Sequence, residues 1–126
     1  MSGSHPRPDG MATPASPYSP VVVSGDLVYV SGQVAYDDHG ELVPGGIEEQ
    51  TTRALENLAA CLQAAGCGLA DVLKVNAYLA DLSDFAAYNG VYRTFFAEPY
   101  PARTTVGAAL APGLLVEIDA VARVPA

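Results

Sequence analysis

Apolar and polar positions change their period several times along this chain, and each change marks an element. "VVVSGDLVYVSGQV" (21–34) holds two β-rich runs around Ser24-Gly25-Asp26, the composition of a hairpin turn. From Ile47 the spacing becomes helical. Ile47, Ala54, Leu55, Leu58, Cys61, Leu62 and Ala65 fall on one stripe, Glu48, Glu49 and Glu56 lie outside it, and Gly66 supplies a stop. "LKVNAYLA" (73–80) alternates as a strand, with Leu73, Val75, Ala77 and Leu79 on one face. Ser83 is placed to cap a second helix whose buried stripe is Phe85, Tyr88, Tyr92 and Phe95 or Phe96. "RTTVGAAL" and "LLVEIDAVARV" then read as two strands joined by a tight turn at Ala111-Pro112-Gly113.

The order β-β-α-β-α-β-β predicts an α+β subunit, a mixed sheet with two helices packed on one face. In the last two strands Thr104, Val106, Ala108, Val116, Ile118, Ala120 and Ala122 share a phase, which is assigned to the helix side. The other phase carries Arg103, Thr105, Gly107 and Ala109, then Leu115, Glu117, Asp119 and Val121, with Tyr29, Ser31 and Gln33 joining from the hairpin. That face mixes apolar bulk with charge, and no third helix remains to cover it. Another copy of the chain is the economical cover, so a homo-oligomer is expected. Ahead of the pattern, residues 1–16, "MSGSHPRPDGMATPAS", offer little to bury and are expected to form a disordered arm. Residues 17–126 are expected to form a single domain, since two cores would each be too small in 126 residues.

Composition narrows the function. Half of the residues are hydrophobic and only 16% are charged, so part of the surface must be apolar. Fourteen acidic against six basic residues give a net charge of −8, which repels phosphate backbones and argues against a nucleic-acid partner. The apolar runs "LVYV" and "VGAALAPGLLV" fall short of the roughly 20 residues that cross a bilayer, and no cationic start leads into an apolar segment. No membrane partner and a cytoplasmic location are therefore expected. Cys61 and Cys67 lack any CxxC context and read as reduced structural thiols; His5 and His39 complete no metal-ligand set, and no metal is expected.

Arg103 opens the chemical question. On the predicted face it accompanies two carboxylates, Glu117 and Asp119, and two roles are open: a half-buried ion pair that ties strands or subunits together, or a guanidinium fork facing a cavity, ready for a planar carboxylate. A glutamate beside an anion-binding arginine can hold and activate water, enough to hydrolyse an already electrophilic carbon. Ser31 has no histidine partner in view and neither cysteine lies on this face, so covalent catalysis has little support. "GCGLAD" follows a helix instead of a strand, the wrong context for a nucleotide loop.

From "SPYSPVV" onward, and most specifically in "YVSGQ", "DLSDFAAYN" and "PARTTVG", the chain resembles the RidA/YjgF family of enamine/imine deaminases, also described as L-PSP endoribonucleases. The resemblance implies a homotrimer of chorismate-mutase-like subunits with ligand clefts at the subunit interfaces. It implies that Arg103 clamps a substrate carboxylate, that Glu117 handles the water or proton, and that Tyr18, Ser31, Gly32 and Asn89 line the cleft. Thr105 stands where many of these deaminases carry cysteine, which keeps a small polar group at the site and leaves substrate range open. The implied reaction is cofactor-free hydrolysis of 2-aminoacrylate-type enamines and their imine tautomers to 2-oxo acids and ammonia, with a small carboxylate as substrate. Two rivals stand beside it. One is a non-catalytic carboxylate-binding or protein-stabilising trimer; the other is a ribonuclease, against which the acidic charge and the lack of a basic stripe or histidine pair both argue.

Overall fold

Two-residue connections tolerate only certain backbones, and Gly25, at a φ of +62°, supplies the left-handed one that closes the first hairpin. In the computed structural model, which describes residues 3–126, strands β1 (Val21–Ser24) and β2 (Leu27–Gln33) pair antiparallel with Ser24 opposite Leu27. The sheet continues through β5 (Val116–Arg123), β3 (Val72–Leu79) and β4 (Ala102–Gly107) in the order β1-β2-β5-β3-β4. Only β3 and β4 run parallel. Helices α1 (Ile47–Ala64) and α2 (Phe85–Phe95) pack on each other, and α1 lies on β2 and β5.

The helical stripe behaves as its spacing predicts. Ala54, Leu55, Leu58, Cys61 and Leu62 are buried against Val28, Val30, Val75, Ala77, Leu79, Val116 and Ile118 of the sheet. Glu49 accepts a hydrogen bond from the Gly46 N–H at 2.7 Å, satisfying a free donor at the start of α1, and Gly66, at a φ of +83°, ends the helix. Burial raises the Cys61 thiol to about 11, so it is a packing group and no nucleophile. At α2 the cap differs from the sequence reading. The helix has Asp84 at its N-cap with no side-chain capping bond, and the cap belongs to the short 3-10 turn over Leu82–Asp84 that leads into it, where Asp81 accepts from the Ser83 N–H at 2.9 Å.

Three expectations about the sheet are corrected. The last two strands form no hairpin: β3 lies between them, and the chain turns at Ala111–Leu114 to bring β5 antiparallel between β2 and β3. Segment β3-α2-β4 is instead a crossover unit, the kind of connection that parallel strands require. Bulges then change two phases. An extra residue at Leu73 leaves it exposed and buries Val72, and another between Val30 and Gln33 turns Gln33 to the helix side. Last, β4 carries the opposite phase to the one expected. Arg103 pairs with buried Val75 and Thr105 with buried Ala77, so both face the helix layer, while Thr104 and Val106 join Asn76 and Tyr78 on the open face with Glu117 and Asp119. The strand "RTTV" has weak contrast, and its parallel partner sets its phase.

Of the arm expected to be disordered, Met1 and Ser2 lie outside the described residues. Ser4 exchanges two backbone hydrogen bonds with Val23, at 2.8 and 3.0 Å, and Met11 rests against the core. No helix is long and apolar enough to cross a membrane among the described residues.

Gln50 locks the loop between β4 and β5 onto α1. Its buried amide donates to the Gly113 carbonyl and accepts from the Leu115 N–H, each at 2.9 Å. Replacing it with leucine keeps the apolar bulk and strands both backbone groups. Gln50→Leu is expected to destabilise the fold by about 2 kcal/mol or more, read as a lowered urea midpoint.

Candidate active site

The residues singled out in the sequence gather into two clusters on opposite faces of the sheet. The first is built on β4 and α2. Asn89 lies one turn after Phe85, on the helix flank that looks toward the sheet edge. Its side-chain oxygen accepts from Arg103 Nη1 at 2.8 Å. The guanidinium lies over the rings of Tyr92, Tyr88 and Phe85, with 4.7, 5.4 and 5.7 Å to their centroids. Tyr92 in turn stacks on Phe96 at 4.5 Å, so the shelf under the arginine is anchored in the core. Ion pairs among the described residues join Arg53 to Asp38 and Arg123 to Asp26; no carboxylate pairs with Arg103.

Three buried hydroxyls in this region, those of Tyr88, Tyr92 and Thr105, have no hydrogen-bond partner among the described residues. Burial raises the Tyr88 phenol against the opposing pull of the Arg103 charge, and it pushes Tyr92 up to about 12, so both remain neutral donors. Outside the guanidinium lies a cavity of about 370 Å³, lined by Asn89, Tyr92, Arg93, Tyr100, Pro101 and Arg103. Its wall contains two arginines and no acid. A half-buried guanidinium with one nitrogen held and no counter-charge is equipped to receive an anion.

The second cluster is on the open face. The bulge in β2 turns Gly32 toward Glu117, whose side chain lies on the glycine so closely that a methyl there would stand 2.8 Å from Cδ. Ser31 donates its hydroxyl to the Ser19 carbonyl at 2.6 Å and its N–H to the Pro20 carbonyl at 2.9 Å, tying the Tyr18 segment to the bulge. Tyr18 is 52% exposed and shares with Gly32 the lining of a cavity of about 340 Å³. Beside Glu117, Asp119 is fixed by Asn76 at 2.9 Å and by the Tyr78 hydroxyl at 3.1 Å. Burial, and then the Asp119 charge, raise the Glu117 carboxyl above the ordinary glutamate range, the direction that suits a group passing protons near neutrality.

The expected sharing of one face by Arg103 and the two carboxylates is therefore overturned. Glu117 stands two strands away from Arg103, on the far side of the sheet. Asn89, Thr105 and Arg103 form one group, and Tyr18, Ser31, Gly32 and Glu117 form the other. Sequence reasoning took Tyr88 and Tyr92 as core alone and passed over Arg93, Asn76 and Tyr78. The spacing of Asn89 and Arg93 by four, beside aromatics at Phe85, Tyr88 and Tyr92, was the available signal for a polar ledge along an aromatic stripe.

A raised Glu117 pKa means that folding favours its protonated form. That contribution to stability is present at acid pH and is lost as the pH rises through the folded value. Asp119→Asn removes a neighbouring negative charge, so it is expected to lower the Glu117 pKa, read by carboxyl NMR titration. An unchanged value would show that the two groups do not sense each other.

Comparison with known proteins finds relatives along most of the chain. A family model described as Endoribonuclease L-PSP matches residues 10–124. Protein mmf2, mitochondrial, of Schizosaccharomyces pombe is 47% identical over 110 residues, covering 84% of this chain and 86% of that protein. The 2-iminobutanoate/2-iminopropanoate deaminase of Capra hircus is 44% identical over 108 residues, 84% and 79% of the two chains. Among solved structures, RidA from an Antarctic Psychrobacter superposes with a TM-score of 0.89 at 39% identity, over 95% of this chain and 98% of the other. Matches of this extent, on a shared arrangement of five strands and two helices, place the chain in the RidA/YjgF family.

Proposed function

We propose that this protein is a cofactor-independent deaminase that hydrolyses 2-imino acids, and their 2-enamine tautomers of the 2-aminoacrylate type, to 2-oxo acids and ammonia. The observation that carries the reading is Arg103, half-buried over three aromatic rings, steadied by Asn89 and lacking a carboxylate partner. Similarity to deaminases acting on 2-iminobutanoate and 2-iminopropanoate names the kind of acid that would fit. The fork holds the substrate carboxylate, Tyr92 borders it in the same cavity, and Thr105 lies behind the arginine on β4. An imine carbon already reacts with free water, so the remaining task is to position water and move protons, which falls to Glu117 with its raised pKa. Water adds to the C=N carbon, the nitrogen takes a proton, and collapse of the carbinolamine expels ammonia and leaves the 2-oxo acid.

Opposite faces keep Arg103 and Glu117 of one chain from meeting on one small acid. We assign the complete site to a homotrimer of chorismate-mutase-like subunits, in which the open face of one copy, with its Tyr18, Ser31, Gly32 and Glu117, lies against the β4 edge and Arg103 of the next. Exposed Tyr29 and Val106 give that face the apolar surface an interface needs. The reaction is assigned to the cytoplasm, although the fission-yeast relative is mitochondrial. The net charge of −8 is unfavourable for the ribonuclease role in the family description.

Two outcomes are expected. Sedimentation at micromolar concentration shows a trimer without free monomer; a stable monomer would end the composite-site assignment. In a coupled assay, with a dehydratase releasing the imine, Arg103→Ala keeps the trimer and loses roughly a hundredfold or more in kcat/KM, about 3 kcal/mol, and Arg103→Lys recovers little because an ammonium lacks the fork. An Arg103→Ala trimer with wild-type imine hydrolysis would overturn the clamp, and RNA cleavage dependent on Arg103 would favour the ribonuclease reading.

A further inference from the structure

Arg93 sits four residues after Asn89 on α2, so the two side chains leave the helix on one flank and line the same cavity as Arg103. Two of the six basic residues of an acidic chain thus converge on one cavity of about 370 Å³ whose wall carries no carboxylate. On a helix surface an arginine can pair with an acid three or four residues away. Around Arg93 those positions are Asn89, Gly90, Phe96 and Ala97, and no ion pair forms to it among the described residues. The cavity also lies in the range of roughly 300–1,000 Å³ typical of ligand sites, more than a three-carbon acid occupies. Tyr100, 48% exposed, flanks it with an apolar ring that can lie along a longer carbon chain.

We infer that Arg93 determines specificity for substrates with a second anionic group: 2-imino dicarboxylates, with the carboxylate next to the reacting carbon on Arg103 and the distal carboxylate on Arg93. The inference rests on the reading of Arg103 as the carboxylate clamp. A competing structural role exists, because Arg93 lies in the last turn of α2, where a cation also complements the helix dipole. The dipole role affects stability alike with any ligand; the specificity role affects only the acid with two carboxylates.

The test measures binding of the stable product acids 2-oxobutanoate and 2-oxoglutarate to wild type, Arg93→Ala and Arg93→Lys by calorimetry, with melting temperatures alongside. Wild type is expected to bind 2-oxoglutarate about tenfold more tightly, a preference that weakens with added salt. Arg93→Ala is expected to lose that tenfold preference while changing the monoacid less than about twofold, and Arg93→Lys to keep part of it because a point charge suffices at the distal end. Equal affinities in wild type, or equal losses for both acids, would overturn the inference. Imine hydrolysis, with the imines made from alanine and glutamate by an amino-acid oxidase, separates this result from the deaminase reading. Hydrolysis of both imines without any Arg93-dependent difference in KM keeps the deaminase and ends the role of Arg93. Discrimination between oxo acids by a protein that hydrolyses neither imine keeps Arg93 and ends the deaminase.

Discussion

Arg103 pairs with Val75 in a parallel ladder, and from that contact the arrangement of the molecule follows. Parallel pairing needs a crossover, so α2 must lie over the sheet between β3 and β4, and its aromatic stripe comes down beside the arginine. A guanidinium on the helix side of an edge strand is then half-withdrawn from water without a carboxylate to neutralise it. The quadrupoles of Tyr92, Tyr88 and Phe85 and the Asn89 oxygen offset part of that cost, and a bound anion would offset the remainder.

The same pairing divides the candidate chemistry. The sheet is one residue thick, so side chains of opposite phase cannot meet across it, and Glu117 ends on the face away from Arg103. Each half is prepared by its own local device: the β2 bulge and Gly32 leave room for Glu117, and the α2 flank steadies Arg103. In the proposed trimer, assembly would bring the two halves together and cover apolar surface as well.

Much of this was legible in the sequence where a strong period ran for several turns. The α1 stripe and its glycine stop, the hairpin at Ser24-Gly25-Asp26, and the buried phase of Val116, Ile118, Ala120 and Ala122 all appear as read. In each, one apolar face against one polar face leaves a single way to bury the chain. The family was legible in "YVSGQ", "DLSDFAAYN" and "PARTTVG", where residue identities are more specific than any period.

Tertiary structure decided the rest, for reasons that lie outside any local window. "RTTV" has threonine in both phases, so only its partner β3 could say which way Arg103 points, and that partner lies some thirty residues earlier in the chain. The bulges at Leu73 and in "SGQ" shift phase by one residue, the first in a run with no distinctive residue and the second at Gly32, whose bare backbone permits a bulge without fixing where it falls, and so exchanged Leu73 for Val72 and turned Gln33 inward. Local sequence determined which segments fold as helices and strands and which residues can carry charge. Long-range strand pairing determined which of those charges share a face, because a strand's register is a property of two segments and is written in neither alone.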